Sequence, residues 1–157
     1  MLPPTTRRVA DNSSAVANAR IRDRTERRLM HYARNPELID QRLRELDREW
    51  DIERVLEATA AGASLAGFTL AVARRDRRWL LLPLGISAFL MQHALQGWCP
   101  PLPLLRRLGV RTAGEIDTER YALKALRGDF GTGTRQPGSF RQLARAALEA
   151  AGGWVAE

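Results

Sequence analysis

The sequence predicts an all-α fold built around a two-helix transmembrane hairpin, with an amphipathic N-terminal helical arm before it and a short helical C-terminal tail after it. Residues 55–73 and 79–98 are two apolar segments separated by the five residues 74–78. As helices, each has about the length that crosses the roughly 30 Å hydrocarbon layer of a bilayer. Apolar side chains at helical spacing before residue 55 predict the arm.

The chain carries excess positive charge, and nearly all of it comes from arginine. The formal net charge is +7 over 157 residues, and Lys124 is the only lysine. Such a chain suits anionic headgroups or nucleic acid. Its length allows about one domain, and the hairpin leaves little room for a large soluble core.

The first apolar segment, residues 55–73, has Glu57 as its only charged residue and is rich in small side chains. Ala63, Gly67 and Ala71 recur at every fourth position. In lipid, such a face lets another helix approach closely. We therefore expect this segment to pack against the second apolar segment or against a second copy of the protein.

The second apolar segment, residues 79–98, has no formal charge and is bounded by Trp79 and Trp98. Tryptophan is enriched where a membrane meets water, so these residues and Trp50 are predicted interface anchors. The alternative is a pair of buried helices in a soluble bundle. Against it, a soluble core helix normally keeps a polar face, whereas residues 80–91 are apolar all round.

Polar groups inside the two segments are predicted to lie at one depth. If the turn is centred on Asp76, Glu57 precedes it by about as many residues as His93 and Gln96 follow it. Polar groups in lipid turn inward and find partners. We expect Glu57 to face an intramembrane polar cluster with Gln92, His93 and Gln96 that fixes the helix register. A proton or ion site is the functional alternative.

The first part of the chain divides into a start without periodicity and the arm. We expect residues 1–14 to be disordered and residues 15–54 to form the arm. Its first helix carries many arginines from Arg20 to Arg34, which are predicted to meet anionic headgroups of the lipid bilayer. A solvated helix without a partner is the alternative.

The second helix of the arm begins at Asn35 and Pro36, with Asn as N-cap and Pro in the first turn. Its apolar stripe favours either the membrane interface, with Trp50 as anchor, or packing against another protein helix. No helix breaker is recognised before Val55, so the arm is predicted to run into the hairpin or to lie beside it.

The second membrane helix is predicted to end at about Gly97, because a regular helix cannot continue through the prolines after Cys99. The hairpin region reaches residue 105, and a helical tail covers residues 106–130, with a helix that is predicted to stop at Gly128. A linker follows over 131–139, and a short helix lies within residues 140–157.

The positive-inside rule predicts that both termini are cytoplasmic. It weighs the four arginines of the turn against seven that flank the apolar segments. The seven are Arg42, Arg44, Arg48, Arg54, Arg106, Arg107 and Arg111.

The run Gly97, Trp98, Cys99 and Pro100, followed by a leucine-rich stretch, resembles the YgaP-like transmembrane domain family. The resemblance covers roughly residues 54–109. It implies a small helical hairpin of the bacterial inner membrane, of a kind that occurs alone or beside a rhodanese domain and has no agreed activity when isolated. The arginines of the turn depart from the family pattern.

No phosphate-binding loop, catalytic constellation or metal motif is recognised, so we predict no enzyme activity, no cofactor and no metal. The predicted function is a non-enzymatic scaffold or anchor, multi-pass in the inner membrane, with a homo-oligomer or a membrane protein as possible partner. One alternative uses Cys99 as a thiol in a membrane-edge sulfur or redox relay; the simpler interpretation is a small apolar residue. A second alternative is a soluble, arginine-rich helical protein that binds nucleic acid, although no binding motif is recognised.

Overall fold

A computed structural model describes residues 7–130 and 140–150, and every regular element in these ranges is a helix. The predicted all-α class is therefore confirmed for the described residues. In chain order, the α-helices are α1 (Arg8–Asp11), α2 (Ala15–Arg34), α3 (Ile39–Leu46), α4 (Ile52–Arg74), α5 (Leu81–Gln96), α6 (Leu102–Leu108), α7 (Ala113–Arg127) and α8 (Phe140–Ala150). Two short 3-10 helices cover Pro36–Leu38 and Arg77–Leu80.

The chain divides into two compact units. Unit 1 comprises Met1–Ala17 and Trp50–Thr112, and unit 2 comprises Asn18–Glu49 and Ala113–Glu157. Unit 1 therefore contains both apolar segments, whereas unit 2 contains most of the arm and the end of the chain.

Helix α4 begins where a capping residue stops the chain from continuing the arm. The Asp51 side chain accepts a hydrogen bond from the backbone N–H of Arg54 at 2.8 Å, so it is the N-cap. The prediction that no helix breaker precedes Val55 was wrong, because α3 ends at Leu46 and Asp51 caps a separate helix. The apolar helix starts at Ile52, three residues earlier than predicted.

Helices α4 and α5 pack against each other along the small-residue face of α4. Gly67 is buried, and a Cβ placed on it would lie 2.8 Å from Pro83 Cδ and 3.4 Å from Leu82. Because no side chain fits at that distance, glycine lets the two backbones approach. Between the helices, the Asp76 carboxylate accepts from the backbone N–H of Arg78 at 3.0 Å and opens the 3-10 helix.

The end of α5 and the helix after it show what the proline run does. Helix α5 stops at Gly97, whose φ of 77° is left-handed and suits glycine. Helix α6 then begins beside Pro101 and was not predicted. Proline has no backbone N–H, so it cannot continue the helix that precedes it. In the first turn of a helix no such donor is required, so the same prolines can begin the next helix.

The buried core of unit 1 lies where α4 begins. It contains Val9 from α1, Ile52 and Leu56 from α4, Cys99, and Leu102 from α6. The predicted disorder of residues 1–14 was therefore wrong for Arg8–Asp11, because burying Val9 holds this turn of helix in place. Residues 1–6 lie outside the described residues.

Unit 2 has an apolar core of its own. The amphipathic stripe of the arm faces this core, so α3 packs against protein, as one of the two predicted options had it. Asn35 does not cap the next helix; its Nδ2 donates back to the carbonyl of His31 at 2.8 Å. The core contains Leu29, Ile39, Leu46, Ile116, Ala122, Leu123, Ala125, Ala144, Ala147 and Leu148.

A buried carboxylate joins three helices of unit 2. Glu119 on α7 is fully buried and accepts from Arg28 Nη1 at 3.0 Å and from Arg42 Nε at 2.9 Å. Although burial of Arg42 opposes its charged form, the hydrogen bond to Glu119 and the charge of that carboxylate leave the pKa of Arg42 raised. Part of the polar face of the arm therefore contacts α7 inside unit 2 and does not face solvent.

Helix α7 ends before Gly128, at the residue where the sequence predicts its stop, and Gly128 has a φ of 94°. The predicted linker, residues 131–139, lies outside the described residues. Helix α8 follows and contributes Ala144, Ala147 and Leu148 to the core of unit 2.

The packing of α4 on α5 gives a matched pair of substitutions. Gly67→Ala and Gly62→Ala both replace glycine in the same helix, which raises helix propensity by about 1 kcal/mol. A Cβ at Gly62 meets nothing within 4 Å, whereas one at Gly67 meets Pro83. We expect Gly62→Ala to raise the thermal unfolding temperature in detergent and Gly67→Ala to lower it. Equal shifts in circular dichroism melts would contradict close packing at Gly67.

Candidate functional site

A carboxylate–imidazole pair, formed by half-buried Glu53 and buried His93, lies where α4 begins and α5 ends. Glu53 Oε2 and His93 Nε2 are 2.8 Å apart. His93 is only 4% exposed, and its Nδ1 has no hydrogen-bond partner among the described residues. The pair joins the two helices at one end, the end opposite the turn.

The same carboxylate binds the N-terminal helix α1. Arg8 Nη2 donates to Glu53 Oε1 at 3.1 Å, so each Glu53 oxygen has its own partner. Arg8 Nη1 also donates to the carbonyl of Ala94 at 3.2 Å. A single arginine therefore links α1 to both long helices.

Helix α1 also covers the end of α5. Asn12 Nδ2 donates to the carbonyl of Gln96 at 2.8 Å, and Arg8 reaches Ala94, so two carbonyls of the last turn of α5 gain partners. A Cβ on Gly97 would lie 2.7 Å from the backbone of Arg8. Gly97 is thus needed both for its left-handed backbone and for this close approach.

The predicted partner of His93 was wrong by one helical turn. Glu57 is exposed, whereas Glu53, four residues earlier on the same helix face, accepts the contact. The prediction assumed equal rise on both sides of Asp76. The 3-10 helix Arg77–Leu80 rises about 2.0 Å per residue instead of about 1.5 Å, so its four residues add about 2 Å on that side. This explains only part of the shift of about 6 Å that separates Glu57 from Glu53 along α4.

The other two members of the predicted cluster are placed differently from His93. Gln92 is half-buried, and the side chain of Gln96 is exposed while its backbone carbonyl accepts from Asn12. The opposite charges of Arg8 and Glu53 are the sequence feature that would have indicated the actual cluster. Both residues lie outside the predicted apolar segments, so they were not considered as partners of His93.

Cys99 lies in the core of unit 1 beside Ile52, near the start of α4, and is 3% exposed. Burial raises the pKa of its thiol, the charge of Glu53 raises it further, and a backbone hydrogen bond at Leu102 partly offsets this. A reactive cysteine needs the opposite: partial exposure and a lowered pKa.

An apolar cavity of about 190 Å³ lies between α4, α5 and the segment after α5. The small residues Ala60 and Ala63 line its α4 wall, Phe89 and Leu90 its α5 wall, and Cys99 its end. Such a lining can hold apolar groups but offers little hydrogen bonding.

Of the predicted packing residues, Gly67 is buried, Ala71 is half-buried and Ala63 faces the cavity. Two of the predicted anchors, Trp50 and Trp98, are exposed.

The third anchor, Trp79, is half-buried. The guanidinium of Arg54 lies 4.6 Å from the ring centroid of Trp50, an arrangement that leaves the indole facing outward with a cation over it.

The arginines from Arg20 to Arg34 are not one free basic surface. Arg28 is committed to the buried Glu119, and Arg22 and Arg34 also have partners. Among the described residues, there is no group of three or more histidine, cysteine or acidic side chains that could hold a metal ion.

Comparisons with family models, with curated proteins and with solved structures each found no match for this chain. The resemblance to the YgaP-like transmembrane domain therefore stays a prediction from the motif at Gly97 to Pro100.

The contact of Glu53 with His93 and Arg8 predicts the behaviour of the only thiol. Glu53→Ala removes charge-assisted hydrogen bonds that are worth about 1.5–3 kcal/mol each. Local opening should then expose Cys99, which shares a core with Ile52 and Leu56. We expect N-ethylmaleimide to label Cys99 at least about tenfold faster in Glu53→Ala, since 1.4 kcal/mol corresponds to tenfold.

The matched control is Glu57→Ala, because Glu57 lies on the same helix face one turn later and is exposed. It should label as slowly as the unchanged protein. Equal acceleration in both variants, measured by mass spectrometry, would show that Glu53 does not hold this end closed.

Proposed function

We propose that this chain is a small integral membrane protein, inserted by α4 and α5 as a two-helix hairpin, and that it serves as a non-enzymatic scaffold or anchor. The bacterial inner membrane is the location that the motif resemblance implies. Unit 2, which has its own buried core, is the part that we propose to remain in water.

The observation that carries this proposal is the exposure of apolar side chains on both long helices. Ile52–Arg74 and Arg77–Gln96 are long and apolar enough to cross a membrane, by length and composition. Only 11% of the apolar window of each is buried. Core helices of a soluble protein would be mostly buried, and a soluble monomer rarely exposes so large an apolar surface. The exposed side chains include Leu65, Phe68, Val72, Leu81, Leu84, Phe89, Met91 and Leu95.

The polar groups of the hairpin support the same placement. Glu53, His93 and Arg8 satisfy one another at the end of the helices, where an interface is within reach. Charged groups within membranes are normally paired in this way. Two features support the scaffold role. The exposed apolar surface of α4 and α5 can pack against another helix, and the contacts of Glu53 with His93 and Arg8 hold one end of the two helices together.

The raised pKa and burial of Cys99 oppose the alternative of a sulfur or redox relay, because both keep the thiol neutral and inaccessible. The partners of Arg28, Arg22 and Arg34 reduce the surface that a nucleic-acid-binding alternative requires.

Extraction of membranes at alkaline pH tests the insertion. We expect the protein in the pellet, and recovery in the supernatant would overturn the proposal. Leu65→Arg together with Leu84→Arg should shift the protein out of the pellet, because an arginine at the centre of a helix raises the insertion free energy by about 2.5–3.5 kcal/mol.

Tyr121→Arg is the matched control, since Tyr121 is also an exposed, large apolar residue but lies on α7 in unit 2. It should leave the fractionation unchanged. If the double variant also stayed in the pellet, the exposed leucines would not face lipid.

We further propose that both termini are cytoplasmic, and burial of Cys99 requires engineered thiols for the test. In a Cys99→Ala background, Arg77→Cys places a thiol in the exposed turn, and Gln41→Cys places one at an exposed position of α3. Impermeant maleimide added to intact cells should label Arg77→Cys and spare Gln41→Cys. The reverse pattern would invert the topology.

A further inference from the structure

The turn between the two apolar helices carries four exposed arginines within five residues: Arg74, Arg75, Arg77 and Arg78. Among the described residues, none of the four guanidinium groups forms an ion pair, in contrast to Arg8, Arg28 and Arg42 elsewhere. The one acid in the turn, Asp76, instead accepts from the backbone N–H of Arg78. The arginine turn, residues 74–78, therefore carries four positive charges against the one negative charge of Asp76, and its guanidinium groups have no ion-pair partner among the described residues.

The backbone of the arginine turn is also unusual. Arg75 has a φ of 51° and is the only non-glycine residue with positive φ in the described part of the chain. It ends α4 at a position where glycine is the usual residue, because other side chains are strained there. Strain of this kind often accompanies a functional side chain, here a guanidinium held outward at the end of a helix.

The surroundings of the arginine turn are apolar and exposed. Val72, one turn before the end of α4, is 78% exposed, and Leu81 at the start of α5 is 67% exposed. Trp79 lies between them in the chain and is half-buried. A ligand that fits must present anionic groups to the arginines and apolar groups directly beside them.

We propose that the arginine turn binds the phosphate groups of anionic phospholipids. Guanidinium binds phosphate oxygens in a bidentate manner, and the acyl chains of the same lipid cover Val72 and Leu81. A nucleic acid or a free phosphate would satisfy the arginines but leave these apolar side chains in water. The inference rests on the proposed membrane function and adds a ligand to it, and it holds for either orientation of the hairpin.

Trp79 provides the measurement, because it is adjacent to Arg78. In a variant with Trp50, Trp98 and Trp154 replaced by phenylalanine, the remaining tryptophan reports on lipid next to the turn. The protein is reconstituted in vesicles that contain brominated phosphatidylglycerol diluted in unlabelled phosphatidylcholine, and then in vesicles with the labels exchanged. Bromine quenches Trp79 fluorescence, so the two series give the relative affinity of the two lipids.

We expect a preference for phosphatidylglycerol of about fivefold or more, which corresponds to the contribution of a single arginine near an anionic surface. Replacing all four arginines of the turn by glutamine should reduce the preference to about one. The matched control replaces Arg44, Arg48, Arg141 and Arg145, which are four exposed arginines of unit 2, and should leave it unchanged.

Arg75→Gly is a second turn variant that removes one arginine without destabilising the fold, because glycine adopts the left-handed backbone of this position without strain. It therefore separates loss of lipid binding from loss of structure. It should raise the thermal unfolding temperature and still lower the lipid preference. A preference that survives both turn variants would overturn the inference. Displacement of the anionic lipid by inorganic phosphate, but not by chloride at equal ionic strength, would also overturn it by assigning the turn to a free anion.

Failure of the membrane proposal is a separate result of this experiment. If neither brominated lipid quenches Trp79, the turn does not reach a bilayer and the membrane proposal itself is contradicted. If both quench equally, the protein is inserted and only the lipid selectivity is overturned.

Discussion

Unit 1 depends on one carboxylate that joins three segments far apart in the sequence. Glu53 accepts from Arg8 through one oxygen and contacts His93 through the other, so α1, α4 and α5 meet at one point. Glu53 is half-buried and His93 is buried, so loss of a partner leaves polar groups with reduced access to water, and the three segments therefore hold one another in place. The small-residue contact of Gly67 with Pro83 then aligns the helices further along.

The sequence was sufficient for the features that depend on composition and on local chemistry. The apolar segments, the stops at Gly97 and Gly128, and the start of a helix near Pro36 follow from hydropathy, from glycine and from proline, each of which acts within a few residues. The small residues of α4 likewise indicated the face that packs on α5.

Features that depend on distant residues were not predictable in the same way. Residues 8–11 show no periodicity, and their helix exists because Val9 enters a core built from residues more than forty positions later. The choice of Glu53 over Glu57 depends on how α4 aligns with α5 and on Arg8, which binds the same carboxylate from α1. Such effects are set by three-dimensional register, which a one-dimensional pattern does not contain.

The distribution of polar groups in α4 and α5, the proposed membrane segments, argues for a structural role of these helices rather than a transport role. The titratable groups that pair between these helices in the described structure, Glu53 and His93, lie at one end, and the arginine turn lies at the other. Between them the helix contact is made by small and apolar groups such as Gly67, Leu82 and Pro83. The hydroxyl of Thr69 donates to the carbonyl of Leu65 in its own helix, so it satisfies the backbone locally. A proton or ion crossing a single copy would meet no chain of polar partners over this stretch of the described structure, so the proposed membrane hairpin is better suited to hold a position in a bilayer than to move charge through it.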